Sequence, residues 1–120
     1  MVLKIRDEQI GALNQERYAE FEPRAKQHLR EFFPEQVDAM PAEQFREFLR
    51  RCFDRARTFA LTSEQAVMCF AHLTLLLGEG FESAPRWPFV PFLLHQQEYH
   101  QIDRAKAALL FAYELKAKGL

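Results

Sequence analysis

Four histidines, two cysteines, two serines and a scatter of carboxylates are the side chains of this 120-residue chain that could make a bond, hold a metal or move a proton. His95 and His100 stand five apart, which on a continuous helix turns them away from each other. His100 with Asp103 is a two-ligand fragment, short of the three or four protein ligands of a metal site. Cys52 and Cys69 lie in apolar runs without the CxxC or Cys/His spacing of zinc, and read as buried thiols rather than a disulfide. Neither Ser63 nor Ser83 has the glycine frame of a nucleophile elbow. The four glycines, Gly11, Gly78, Gly80 and Gly119, form no phosphate-cradling loop. The acidic pairs Asp7-Glu8 and Glu20/Glu22 fall on expected solvent faces, without the apolar setting that raises a carboxyl pKa for acid catalysis. No catalytic residue, metal or cofactor is expected from these residues.

Residues suited to gripping another protein are more prominent. His28 shares a helical side with Arg17, Phe21 and Arg24, so a polar strip runs beside the apolar face. Glu20 and Glu31 could answer the two arginines locally; alternatively, Arg24 and His28 hold a carboxylate from another helix or a partner's acidic group. His72, within an apolar run, reads as a hydrogen-bonded core residue. The stretch from Phe81 through Trp87 and Phe89 to Phe92 is stiffened by Pro85, Pro88 and Pro91. Aromatics held this way lose little entropy on docking and dominate interface energetics; the plainer alternative is that they close one end of a bundle. Arg46, Arg50, Arg51, Arg55 and Arg57 are interleaved with Glu43, Glu47 and Asp54, which favours a solvated face over a nucleic-acid surface.

The elements that would position these groups are helical. Ile10, Leu13, Phe21, Ala25, Leu29 and Phe32 recur at helical spacing and predict a long first helix from about Asp7 to Phe33. Pro23 interrupts it, and a kink or break is expected near Ala19 to Glu22, with Pro23 opening a second segment. From Pro41, the positions Phe45, Phe48, Leu49, Cys52, Phe53, Ala56 and Phe59 share one arc of an amphipathic helix. Thr62-Ser63-Glu64-Gln65 reads as a capping box, with Thr62 and Gln65 opening a central helix that is apolar nearly all round and closed by a left-handed Gly78. The segment 78–91 is expected as a loop pinned to the core, a short helix should run from Pro88 toward His95, and a last helix from about Tyr99 to Lys118. No segment alternates with period two, so the fold expected is an all-α bundle of five or six helices, a single domain over 1–120.

Composition agrees with one soluble helical body. Hydrophobic residues make up 48% and charged residues 28%, and a chain of this size buries roughly two-thirds of its unfolded surface. The net charge of −1 offers no surplus for nucleic acid. The opening Met1 to Glu8 carries charges where a secretory leader needs apolar residues, and the apolar run Ala66 to Gly78 is too short to span a bilayer, so a cytoplasmic location without membrane contact is expected.

Several of these segments together resemble small helical accessory proteins encoded beside type VI secretion effectors, PAAR-type spike tips and effector chaperones. The matching residues are Ile5-Arg6-Asp7-Glu8-Gln9, Phe21 and Arg24 with His28-Leu29-Arg30 and Phe32-Phe33-Pro34, Thr62 to Gln65, and Leu77-Gly78-Glu79-Gly80-Phe81 leading to Pro85 and Trp87. Pro23 and the order Trp87-Pro88 depart from that pattern. The resemblance implies an adaptor or co-chaperone that helps load an effector, with a protein partner held by the aromatic loop and the Arg24/His28 strip. A cytosolic immunity protein that neutralises a cognate toxin is the competing expectation. Oligomeric state is left open.

Overall fold

A computed structural model describes residues 15–84 and 86–119 of the chain. The expected start of the first helix at Asp7, the Ile5 to Gln9 motif, Pro85 and the side chain of Arg17 lie outside the described residues. The architecture is all-α, with six α-helices and no strand among those residues.

Helix α1 spans Gln15–Phe32 and runs through Pro23 without interruption, which corrects the expected break. The reason is where the ring falls. Pro23 is exposed, while Phe21, Ala25 and Leu29 on the opposite side are fully buried. A proline inside a helix costs about 3 kcal/mol, and fully burying Phe21 and Leu29 contributes roughly 1.5–3 kcal/mol each, so packing on both sides of Pro23 holds the helix through it. Pro34 then opens the one-turn helix α2, Pro34–Asp38, and seats Val37 in the core.

Helix α3, Ala42–Arg57, starts after Pro41 and buries Phe45, Phe48, Leu49, Cys52 and Ala56 as its spacing requires. Helix α4, Glu64–Leu77, buries Ala66, Val67, Phe70, Ala71, His72, Leu73 and Thr74, and is the central helix. Its cap is Ser63 and not Thr62: the Ser63 hydroxyl accepts from the Ala66 amide at 3.2 Å. Thr62 serves another contact. The amides of Thr62 and Ser63 both donate to the Gln101 side-chain oxygen, at 2.6 and 2.9 Å, and the Gln101 amide donates to the Thr62 hydroxyl at 3.3 Å. Gln101 thus ties the start of α4 to the start of a later helix. Gly78 ends α4 with φ 105° and ψ 151°, a positive φ as expected but extended; the left-handed residue is Gly80, with φ 86° and ψ 12°.

A 3-10 turn, Phe81–Ser83, follows, and then helix α5, Phe89–Leu94, and helix α6, Gln101–Ala117. Helix α6 lies along α4 and α5, and α3 packs on α4. No helix among the described residues is long and apolar enough to cross a membrane.

Candidate functional site

The residues expected to bind a partner separate into three environments. Phe81 and Trp87 are inside, at 1% and 5% exposure. Phe81 stacks at 5.1 Å on Phe70 of the central helix. Their loop is clamped from α3: Arg51 pairs with Glu79 at 2.6 Å, and Arg55 grips Glu82 through two bonds of 2.6 Å. Arg55 therefore leaves the solvated face on which the sequence placed it. Its guanidinium lies 5.0 Å over Phe70 and 5.7 Å over Phe81. Burial works against charge on both partners, but the bidentate bond outweighs it, so Arg55 is pushed above and Glu82 below its ordinary pKa. Phe81 and Trp87 are anchors of this loop and present no surface to a partner.

Arg24 and His28 are one helical turn apart on α1. Arg24 meets a carboxylate from another helix, Glu64 at the start of α4, with its terminal nitrogen 2.8 and 2.9 Å from the two oxygens. The pair is exposed on the arginine side, so it contributes at most about 1 kcal/mol. His28 takes no part in it. Its ring packs instead against Phe32 at 5.2 Å and against His72 at 5.6 Å.

His72 is 2% exposed and hydrogen-bonds through Nε2 to the Tyr113 hydroxyl of α6, as a core histidine should. Phe32 packs tilted against it at 4.8 Å and Phe33 edge to face at 5.0 Å. Burial, and then the neighbouring His28, push its pKa down to about 4. It is neutral at pH 7. Its Nδ1 is buried with no hydrogen-bond partner among the described residues, a feature no sequence pattern signals. Burial also raises the Cys52 thiol to about 12 and pushes the half-buried Cys69 thiol up, so neither is a ready nucleophile. Both cysteines are free thiols. Among the described residues no group of three His, Cys, Asp or Glu gathers closely enough to hold a metal ion.

Phe89 and Phe92 form the third environment, 62% and 57% exposed on α5. Each ring has an aromatic neighbour: Phe89 stands 6.5 Å from Phe92 and 6.0 Å from Phe111 of α6, edge to face in both cases. Pro88 is the N-cap of the short helix that carries them, and Pro91 lies inside it between the two rings. Beside them Leu93, Gln96, Tyr99, Asp103, Arg104 and Ala107 line a groove between α5 and α6. Tyr99, just before α6, and Leu110 within it are also exposed, at 60% and 69%. Comparison with protein-family models, curated proteins and solved structures finds no match to this chain. The site is therefore characterised by its own geometry, and that geometry is an aromatic strip on a rigid base.

The rigidity has a source that the sequence did not mark. Arg104, 6% exposed in α6, donates to the carbonyls of Phe59 at 2.8 Å, Leu94 at 2.5 Å and Tyr99 at 3.1 Å. It joins the chain just beyond α3, the end of α5 and the approach to α6 with one side chain. Carbonyls at helix ends carry partial negative charge, which compensates the buried cation. Desolvation still pushes its pKa below the ordinary arginine value.

Proposed function

We propose that this chain is a non-catalytic adaptor or co-chaperone that holds another protein through the strip carrying Phe89 and Phe92, and that its partner is a type VI secretion effector, that effector's chaperone or the spike-tip protein. One observation carries the reading. Two phenylalanines more than half exposed sit on a short helix with Pro88 at its N-cap and Pro91 between them, and Arg104 ties the end of that helix to the chain beyond α3, so docking them orders little that is not already ordered. Contiguous apolar surface of this kind marks interaction sites on soluble proteins. The location proposed is the cytoplasm, where an effector is met before export. The effector assignment rests on the sequence resemblance.

Co-purification with the products of neighbouring genes tests it. A variant carrying Phe89→Ser and Phe92→Ser should keep its helical circular dichroism and melting temperature and lose the co-eluting partner. Retention of the partner by that variant sinks the reading. Rescue of cells that express the toxin intracellularly would replace the adaptor with an immunity protein.

A further inference from the structure

We propose that residues 30–38, the corner where α1 turns into α2, form an acid-opened cover that lifts off His72 when that ring takes a proton, while the helices beneath stay folded. The cover is lightly held. Within it Val37 alone is buried, Phe33 is half-buried and the other residues are exposed. Helix α2 is a single turn, too short to be stable by itself in water, and its N-cap Phe33 supplies no side-chain bond. Arg30 and Asp38 bridge the corner at 2.9 Å, but both are more than half exposed, so the pair adds little. Segments with so few buried apolar contacts are the ones that open locally before the rest of a fold.

What lies beneath is ill suited to a charge. His72 meets His28 and Phe32 of α1 at 5.6 and 4.8 Å, Phe33 of the corner at 5.0 Å, and the Tyr113 hydroxyl of α6 through Nε2. The titratable groups that face it among the described residues are therefore His28 from α1 and Tyr113 from α6, and no carboxylate or lysine acts on it. A protonated imidazole donates from both nitrogens. The Tyr113 oxygen can accept from Nε2, whereas Nδ1 is buried with no acceptor among the described residues. His28 opposes the added charge as well. Phe32 and Phe33, the two rings that the corner lays on His72, offer no lone pair, so raising them is the route by which water reaches the new donor.

Linkage gives the direction and the size. Under the closed corner the ring's pKa is held down to about 4, and a lifted corner returns it toward the ordinary 6.5. The open form then binds a proton that the closed form refuses, so the open population grows as pH falls below about 6.5 and levels off near 4. Between pH 7 and 5 the increase is about twentyfold. The corner lies on α1 and α2, apart from Phe89 and Phe92 on α5, and the inference requires nothing of the adaptor reading.

Hydrogen exchange read by NMR on the purified full chain at pH 7, 6 and 5, corrected for the intrinsic pH dependence of exchange, tests it. The amides to follow are those of Val37, Ala39 and Met40, whose acceptors are the carbonyls of Phe33, Glu35 and Val37. They should be less protected than amides in the middle of α4 at every pH, and their protection should fall about twentyfold from pH 7 to 5. In His72→Leu, with wild-type circular dichroism, the protection of the corner should stay constant over that range. The ring resonances of His72 give a second measure on the wild type alone: they should titrate near pH 4. Corner protection that ignores pH overturns the inference, as does a fall that persists in His72→Leu or a His72 ring that titrates near 6.5. Corner and α4 amides sharing one protection at every pH would also overturn it, because the chain would then open only as a whole.

Discussion

His72 shows how one buried ring makes the stability of the whole chain depend on pH. Its pKa is near 4 in the fold against an ordinary 6.5, so between those values the unfolded chain binds a proton that the folded chain refuses. The contribution is fully present above pH 6.5 and is lost as pH falls toward 4, by about 3 kcal/mol for this ring alone. Glu79 and Glu82 act lower, because their arginine partners hold both carboxyls below the ordinary 4.5. Urea titrations at pH 7, 5.5 and 4 should show a steep loss in the wild type and a much flatter one in His72→Leu; equal slopes would exclude His72 as the source. Arg104 is the second residue on which much depends. Arg104→Met keeps the stem and removes every donor, leaving the carbonyls of Phe59, Leu94 and Tyr99 short of a partner. Unsatisfied buried groups cost about 1–3 kcal/mol each, so the variant should unfold at least about 3 kcal/mol more easily in denaturant titration.

At the scale of elements, Pro23 and the start of α4 show what local pattern can decide. Pro23→Ala returns an amide donor to an exposed helical position and should stabilise the chain by roughly 1–2 kcal/mol, less than the full helix penalty because proline also restricts the unfolded chain. No gain on thermal melting would mean that the proline geometry is used elsewhere. Ser63→Ala should cost about 1 kcal/mol through its lost cap, whereas Gln65→Ala should cost little, the reverse of a capping box opened at Thr62. The helices themselves were legible: the arc from Phe45 to Ala56 and the all-round apolarity after Glu64 leave no other stable element. The break expected at Pro23 does not form because propensity is local, while Phe21, Ala25 and Leu29 are buried on a helix that packs against α3 and α4. The cap was misplaced by one residue because Thr62 answers to Gln101, thirty-nine positions away. The exposed aromatics of the binding strip were named in sequence together with Phe81 and Trp87, and only packing separates the two pairs. Arg104 left no trace at all, because its partners are backbone carbonyls that every residue carries.

At the scale of the molecule, the aromatic strip is set apart by exposure and not by charge. The chain has a net charge of −1 and a pI near 6.4, so long-range electrostatics steer a partner weakly close to neutrality, and short-range packing at the exposed Phe89 and Phe92 decides binding. Salt should then matter little. Titrated with the partner by calorimetry between about 50 and 500 mM salt, the chain should change its affinity by less than about threefold, because apolar contacts are not screened. A steep loss of affinity with salt would place the contact on the charged surface, such as that around Arg24, and not on the strip.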